Sequence, residues 1–151
     1  MERKDLELLL DACFMAKKLV ETLPALPPGM KPRQIHVLNV VFELQQTGEG
    51  CCVSDVSRQL DTTMPSITKL IKELADQELL VKYAAQDKRV TLLRLTGAGE
   101  ACVRKYALEF HQEWAGRLDG ISSQQAQQVI EIITRLRDTM PGLEEQNHGK
   151  K

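Results

Sequence analysis

Residues 51–96 read CCVSDVSRQLDTTMPSITKLIKELADQELLVKYAAQDKRVTLLRLT, and the order of patterns in this stretch decides the fold. Cys51-Cys52 reads as a short strand before a helical segment, where Ser54 is placed to accept from the orphan amides of the first turn. Val56 and Leu60, four apart, share the inner face of that segment and leave Arg58 outside. Asp61-Thr62-Thr63 is polar and turn-prone, and Thr63 is placed to cap a second helix. Pro65 falls in the first turn of that helix, where its missing N–H removes nothing needed. Ile67, Leu70, Ile71 and Leu74 recur at helical spacing and define a buried stripe. Ser66, Thr68, Lys69, Lys72 and Glu73 are left off it, toward solvent or a partner. Lys69–Glu73 and Lys72–Asp76 are oppositely charged pairs four apart, each stabilising by about 0.2–0.5 kcal/mol. Small hydroxyls and lysines on one side of a helix suit a nucleic-acid groove. Taken alone, Lys69 and Lys72 read first as a solvated helix face.

The hairpin that follows weighs against the bland alternative. Leu79-Leu80-Val81-Lys82-Tyr83 and Val90-Thr91-Leu92-Leu93-Arg94-Leu95 are rich in branched and apolar residues and predict two strands. Between them, Ala84-Ala85-Gln86-Asp87-Lys88-Arg89 is a polar tip without Gly or Pro. Asp87 can bond local amides or clamp Arg89, so that the arginine projects. An arginine at such a tip suits a narrow, electronegative minor groove, where Lys88 would meet phosphate.

Helix, turn, helix and hairpin in this order resemble the winged-helix domain of the multiple-antibiotic-resistance regulator (MarR) family. The matching residues are Val53-Ser54-Asp55-Val56-Ser57-Arg58-Gln59-Leu60 before the turn and Ser66-Ile67-Thr68-Lys69-Leu70-Ile71-Lys72-Glu73-Leu74 after it. Most specific is Asp87-Lys88-Arg89 with the strand that ends at Leu95-Thr96, similar to the family's wing signature. The motifs cover about a third of the chain and the element order nearly all of it. The resemblance implies a mainly α fold with a small β-hairpin wing: a winged helix-turn-helix over residues 32–96, with dimerisation helices in 1–31 and 97–140. Pro65, Ser66, Thr68, Lys69, Lys72, Asp87, Lys88 and Arg89 are then the expected DNA-binding residues, with Pro65 shaping the helix entry. Two departures stand out. The family has Gly where Glu78 stands, so the helix is expected to end with a shifted cap. The wing is about one residue short and lacks the Pro that commonly precedes the Asp, which shortens its reach.

Outward from this centre, Asp5–Leu23 predicts a first helix in which Leu6, Leu8, Leu9, Leu10, Cys13, Phe14, Met15, Ala16, Leu19 and Val20 cover more than one stripe. A helix apolar nearly all round must be covered on several sides, and a second subunit is the natural cover. Pro24 to Pro32 is a stiff connection, and Arg33–Gln46 a second helix with Ile35, Leu38, Val41 and Phe42 inward. Thr47-Gly48-Glu49-Gly50 ends it. After the wing, Thr96 caps a long helix that runs to about Leu118, and Asp119-Gly120 breaks it. Ser122 or Ser123 caps a last helix whose Val129, Ile130, Ile133, Leu136 and Met140 form one stripe. Residues 141–151 are polar and expected to fray. The resemblance implies that the first and the last two helices intertwine in a homodimer. Two recognition helices would then lie about one DNA turn (~34 Å) apart on a palindromic double-stranded operator.

A chain of 151 residues is long enough for a real core and is expected to form one domain. A net charge of -1 excludes a generally basic nucleic-acid coat and favours a localised, groove-shaped contact. No signal peptide or long apolar run is visible, which points to the cytoplasm and away from membranes. Cys13, Cys51, Cys52 and Cys102 have no zinc spacing, and His36, His111 and His148 none either, so no metal or cofactor is expected. Cys13-Phe14 resembles the hydroperoxide-sensing branch of the same family, which makes Cys13 the candidate for a redox or effector site; a buried apolar cysteine is the plain alternative. No Cys-His-Asn/Asp arrangement or Gly-rich phosphate loop suggests an enzyme. The expected function is a dimeric, sequence-specific transcriptional regulator, a repressor released by a small molecule or an oxidative signal. The alternatives are a winged-helix interaction module without DNA binding and a thiol-based sensor.

Overall fold

The computed structural model describes residues 1–22 and 25–141. Leu23 and Pro24, and the tail beyond Pro141, where the sequence predicts fraying, lie outside the described residues. The chain divides into a unit spanning Met1–Glu113 and a second one from Trp114 onward.

In the first unit, α1 (Arg3–Thr22) and α2 (Pro32–Thr47) precede α3 (Val53–Gln59) and α4 (Met64–Asp76). An antiparallel hairpin follows, β1 (Leu80–Ala84) with β2 (Thr91–Leu95), in the register Leu80 opposite Leu95 and Ala84 opposite Thr91. Then comes α5 (Gly97–Val103), which runs into a π-helical turn at Arg104–Glu109 and on through α6 (Phe110–Gly116). The long helix expected after the wing is thus interrupted: one extra residue per turn is accommodated between Val103 and Phe110.

α2 is the central strut. Ile35, Val37, Leu38, Val40 and Val41 are all buried on it, more than the single stripe expected, because α4, β2 and α5 all pack against this one helix. Phe42 is only partly buried. Val56 of α3, Ile67, Ile71 and Leu74 of α4, Leu79, Leu80, Leu93 and Leu95 of the hairpin, and Val103 and Ala107 complete one apolar core. Leu26 and Met30 of the connection pack on its edge. Gly48, in the left-handed region, closes α2, where a side chain would be strained.

Three local expectations are corrected. The cap of α3 is Cys52, not Ser54: the Asp55 carboxylate accepts from the Cys52 main-chain N–H at 2.9 Å, so the helix begins two residues earlier. Cys51-Cys52 is no full strand; Cys52 makes one bridge to Leu92, and the Cys51 carbonyl accepts from Leu93 N–H at 2.7 Å. The cap of α4 is not shifted. Glu78 itself takes the left-handed conformation (φ 59°), so that Leu79 N–H reaches the Leu74 carbonyl and Glu78 N–H the Ala75 carbonyl, both at 3.0 Å. These two bonds satisfy the helix end and outweigh the left-handed backbone of a non-glycine residue, about 1–2 kcal/mol.

Of α1, no residue is buried; Phe14 and Met15 are 72% and 70% exposed. In the second unit, Ser122 caps α7 (Ser123–Asp138), its hydroxyl accepting from Gln125 N–H at 3.2 Å while the Gln125 side chain accepts from Ser122 N–H at 2.8 Å. Val129, Ile130 and Ile133 are exposed on α7, Leu136 is half-buried, and Met140 falls beyond its end.

Candidate nucleic-acid interface

The segment Thr63–Asp76 forms an amphipathic helix because its apolar residues recur every three or four positions and its start carries the right residues. Thr63 is extended at the N-cap, Pro65 sits in the first turn, and the Thr63 hydroxyl donates to Ser66 Oγ at 3.0 Å. Ile67, Ile71 and Leu74 are buried, Leu70 half-buried. Opposite them, Pro65, Lys69, Lys72 and Asp76 follow one another at helical spacing along the outer line, with Thr68 on one flank and Ser66 on the other. Pro65, Ser66, Thr68, Lys69 and Lys72 are all exposed, as a groove-facing surface requires.

The charge pairing on this helix differs from the expectation. Glu73 turns away from Lys69; its Oε2 accepts from Gln34 Nε2 at 3.1 Å and lies 3.5 Å from Lys31 Nζ. Among the described residues no ion pair involves Lys69 or Lys72, so both ammonium groups face outward uncompensated. Asp76 on the same line is the one acidic group there, and it disfavours phosphate near the C-terminal end of the helix.

The hairpin tip is closed by Ala85 N–H to the Val90 carbonyl and Val90 N–H to the Asp87 carbonyl, both 3.0 Å. Asp87 Oδ1 accepts from the Arg89 main-chain N–H at 3.2 Å. Of the two roles open to Asp87, the structure selects the local amide: it shapes the turn and leaves the Arg89 guanidinium unpaired among the described residues. Lys88 and Arg89 are exposed beside it. The hairpin base is tied to α2 by the Gln45 side-chain oxygen, which accepts from Leu95 N–H at 2.6 Å. On the strands, the Arg94 guanidinium lies 5.3 Å from the centre of the Tyr83 ring. Sequence reasoning missed this cationic–aromatic pair; strand pairing, which sets Arg94 opposite Val81 and next to Tyr83, is the signal that finds it.

The junction of α4, the hairpin and α5 is built around Thr96. Its hydroxyl donates to the Glu78 carbonyl at 2.7 Å and accepts from Gly99 N–H at 3.0 Å, and its N–H reaches the Leu79 carbonyl at 3.1 Å. The sequence predicts Thr96 as the cap of α5; that it also holds the end of α4 is a long-range fact.

Among the cysteines, all free, burial with the nearby Asp55 and Cys52 charges pushes the Cys51 thiol up to about 12. Burial also raises Cys102, against a smaller opposing effect of Lys105. The Cys52 thiol donates to Asp55 Oδ2 at 3.0 Å, and this bond, with the one from the Cys52 amide, holds the Asp55 carboxyl below its ordinary value. Cys13 is half-buried on α1. Among the described residues no cluster of His, Cys, Asp and Glu is arranged to hold a metal, and no helix is long and apolar enough to cross a membrane.

Residues 30–99 match a family described as winged helix DNA-binding domain. The HTH-type transcriptional regulator YhbI of Bacillus subtilis (strain 168) is 25% identical over 134 residues, covering 87% of this chain and 82% of the relative. Among solved structures, S. aureus MepR in its DNA complex superposes with a TM-score of 0.65 at 21% identity, over 92% of this chain and 99% of that one. Streptococcus pneumoniae FabT in complex with DNA gives a TM-score of 0.66 at 20% identity, over 91% and 96%.

Proposed function

We infer, from a chain that carries a winged helix DNA-binding domain and has the fold of the MarR-family regulators, that it acts as a homodimeric, sequence-specific transcriptional regulator. The observation that carries the inference is α4: an outward line of Lys69 and Lys72, neither neutralised, backed by buried Ile67, Ile71 and Leu74. Such a helix enters a major groove, its hydroxyls and lysines shared between base edges and phosphates. Arg89, left unpaired by Asp87, reaches the minor groove, and Lys88 contacts phosphate. The relative at 25% identity is a transcriptional regulator by name, and the two solved relatives above were captured on DNA.

Dimerisation is supported by α1 and α7, each of which leaves large apolar side chains exposed in the single chain. The two copies would present their α4 helices on a palindromic operator, and an effector would act by favouring one separation of them. Such a protein works in the cytoplasm, without catalysis of its own. For an oxidative signal, Cys13 is the residue of choice: burial holds Cys51 and Cys102 protonated, and Cys52 is engaged with Asp55.

Selection of bound duplexes from a random DNA pool, with and without peroxide, tests this. A palindrome with half-sites about one helical turn apart is the expected result. Release by peroxide that Cys13→Ser abolishes assigns the oxidative signal; release only by an added small molecule assigns a ligand. Recovery of no preferred sequence refutes DNA reading and leaves an interaction module.

A further inference from the structure

Gln34 is the one buried polar residue among the described residues, at 1% exposure. It lies in the first turn of α2, against the core on which α4 also rests. Burying a carboxamide is unfavourable unless its polar atoms are bonded, and here both ends are. Gln34 Oε1 accepts from the Lys31 main-chain N–H at 3.0 Å, which completes the start of α2, while Nε2 donates to Glu73 Oε2 on α4 at 3.1 Å. Lys31 Nζ approaches the same carboxylate oxygen at 3.5 Å. The three side chains form a knot between the entry of α2 and the middle of α4, across 39 positions of sequence.

The place of this knot on α4 matters. Glu73 directly follows Lys72 and lies one turn after Lys69, so the residue tied to the core adjoins both groove-facing lysines. Apolar packing of Ile67, Ile71 and Leu74 holds α4 against the core but tolerates small rolls about the helix axis. A directional hydrogen bond to a buried, doubly anchored amide does not. A leucine or methionine at 34 would fill the same space and grip nothing.

We propose that Gln34 is a positioning residue for DNA reading: through Glu73 it fixes the rotation of α4, and so the direction in which Lys69 and Lys72 leave the surface. This rests on the reading that α4 enters a major groove. It assigns the buried amide a role in discrimination between sequences rather than in affinity for DNA as such, because phosphate attraction survives a small roll and base-edge geometry does not.

The test uses the full chain, the duplex that the wild-type protein selects from a random pool, and a scrambled duplex of equal composition. Gln34→Met keeps volume and charge and removes both side-chain bonds. Its affinity for the selected duplex is expected to fall about tenfold, and that for the scrambled duplex by no more than about threefold, as the loss of one buried, charge-assisted bond implies. Gln34→Glu sets two carboxylates together and is expected to lose at least as much. Adding Glu73→Gln to it restores a donor facing the introduced carboxylate and recovers discrimination. Adding Glu49→Gln instead, at an exposed position outside α4 and the hairpin, makes the same change in net charge without that donor, and does not. Wild-type-like discrimination by Gln34→Met, in a wild-type protein that does select a sequence, overturns the proposal and leaves DNA reading intact. Equal recovery by the two double variants also overturns it, since charge rather than the bond then governs. Should Gln34→Met fail to fold, the comparison of the double variants decides alone. A wild-type chain that selects no sequence removes both readings together.

Discussion

Gly99→Ala is the substitution with the sharpest structural consequence. A Cβ at position 99 would lie 1.9 Å from the Leu79 carbonyl oxygen and 3.0 Å from its carbon. Both are main-chain atoms, so no side chain can rotate aside. To restore even 3.0 Å, α5 and the α4–β1 junction must separate by about 1 Å. That separation strains three bonds at once: Thr96 Oγ1 to the Glu78 carbonyl at 2.7 Å, Gly99 N–H to Thr96 Oγ1 at 3.0 Å, and Thr96 N–H to the Leu79 carbonyl at 3.1 Å. Overpacking costs about 1–3 kcal/mol, and loss of the α5 cap about 1 kcal/mol more. Against this, alanine gains up to about 1 kcal/mol over glycine inside a helix. The net expectation is a destabilisation of about 1–3 kcal/mol, or a fall in Tm of about 2–12 °C for a chain of this size. Gly97→Ala is the internal control: it sits two residues away in the same helical turn, with nothing within 4 Å of its added Cβ, and is expected to be neutral or slightly stabilising. Thermal and urea unfolding at one fixed protein concentration, which a dimer requires, measure both. If Gly99→Ala melts within about 2 °C of Gly97→Ala, the close approach of the Leu79 carbonyl does not exist as described and the reasoning fails.

Glu78→Gly, at φ 59°, relieves a left-handed side chain and is expected to stabilise by up to about 1 kcal/mol in urea unfolding; a loss of stability would show that the Glu78 side chain contributes more than its backbone strain removes. Arg89→Ala is expected to weaken operator binding while the dimer stays folded, and Lys72→Ala to lower the slope of log affinity against log salt by about one; an unchanged affinity or slope in titrations at several salt concentrations removes that side chain from the interface. His36 titrates below its ordinary value of 6.5, chiefly through burial and then through the charges of His111 and Arg33. The unfolded chain therefore takes up this proton first, so stability present above pH 6.5 is lost as the pH falls through 6.5 toward the lower folded value. His36→Gln is expected to flatten that part of the stability–pH curve, and an unaltered slope would assign it to other groups.

Much of the fold is legible in the sequence because its elements are written in local periods. The three-and-four spacing of Ile67, Leu70, Ile71 and Leu74, with Thr63 and Pro65 ahead of it, requires no distant contact to specify a helix and its outward face. The two apolar runs around Gln86-Asp87-Lys88-Arg89 likewise specify a hairpin with an exposed basic tip. Both parts of the candidate DNA-binding surface are therefore visible in the sequence alone, and the structure places each of those side chains on the surface.

What only the tertiary structure decided lies where distant segments meet. That Cys52 rather than Ser54 caps α3 depends on Asp55 turning back to the Cys52 amide while the bridge to Leu92 holds it. That Glu73 leaves Lys69 for Gln34 depends on α2 lying alongside α4, and a neutral amide 39 positions away sends no local signal. Glu78 accepts a left-handed backbone because Thr96, 18 positions on, fastens its carbonyl. Gly99 is needed because the Leu79 carbonyl comes to rest against it. Amino-acid order by itself determined the main helices, the hairpin and the outward face of α4, because those follow from neighbouring residues. Packing alone determined which polar groups find one another across the core, because a hydrogen bond forms only where the assembled backbone brings donor and acceptor within about 3 Å.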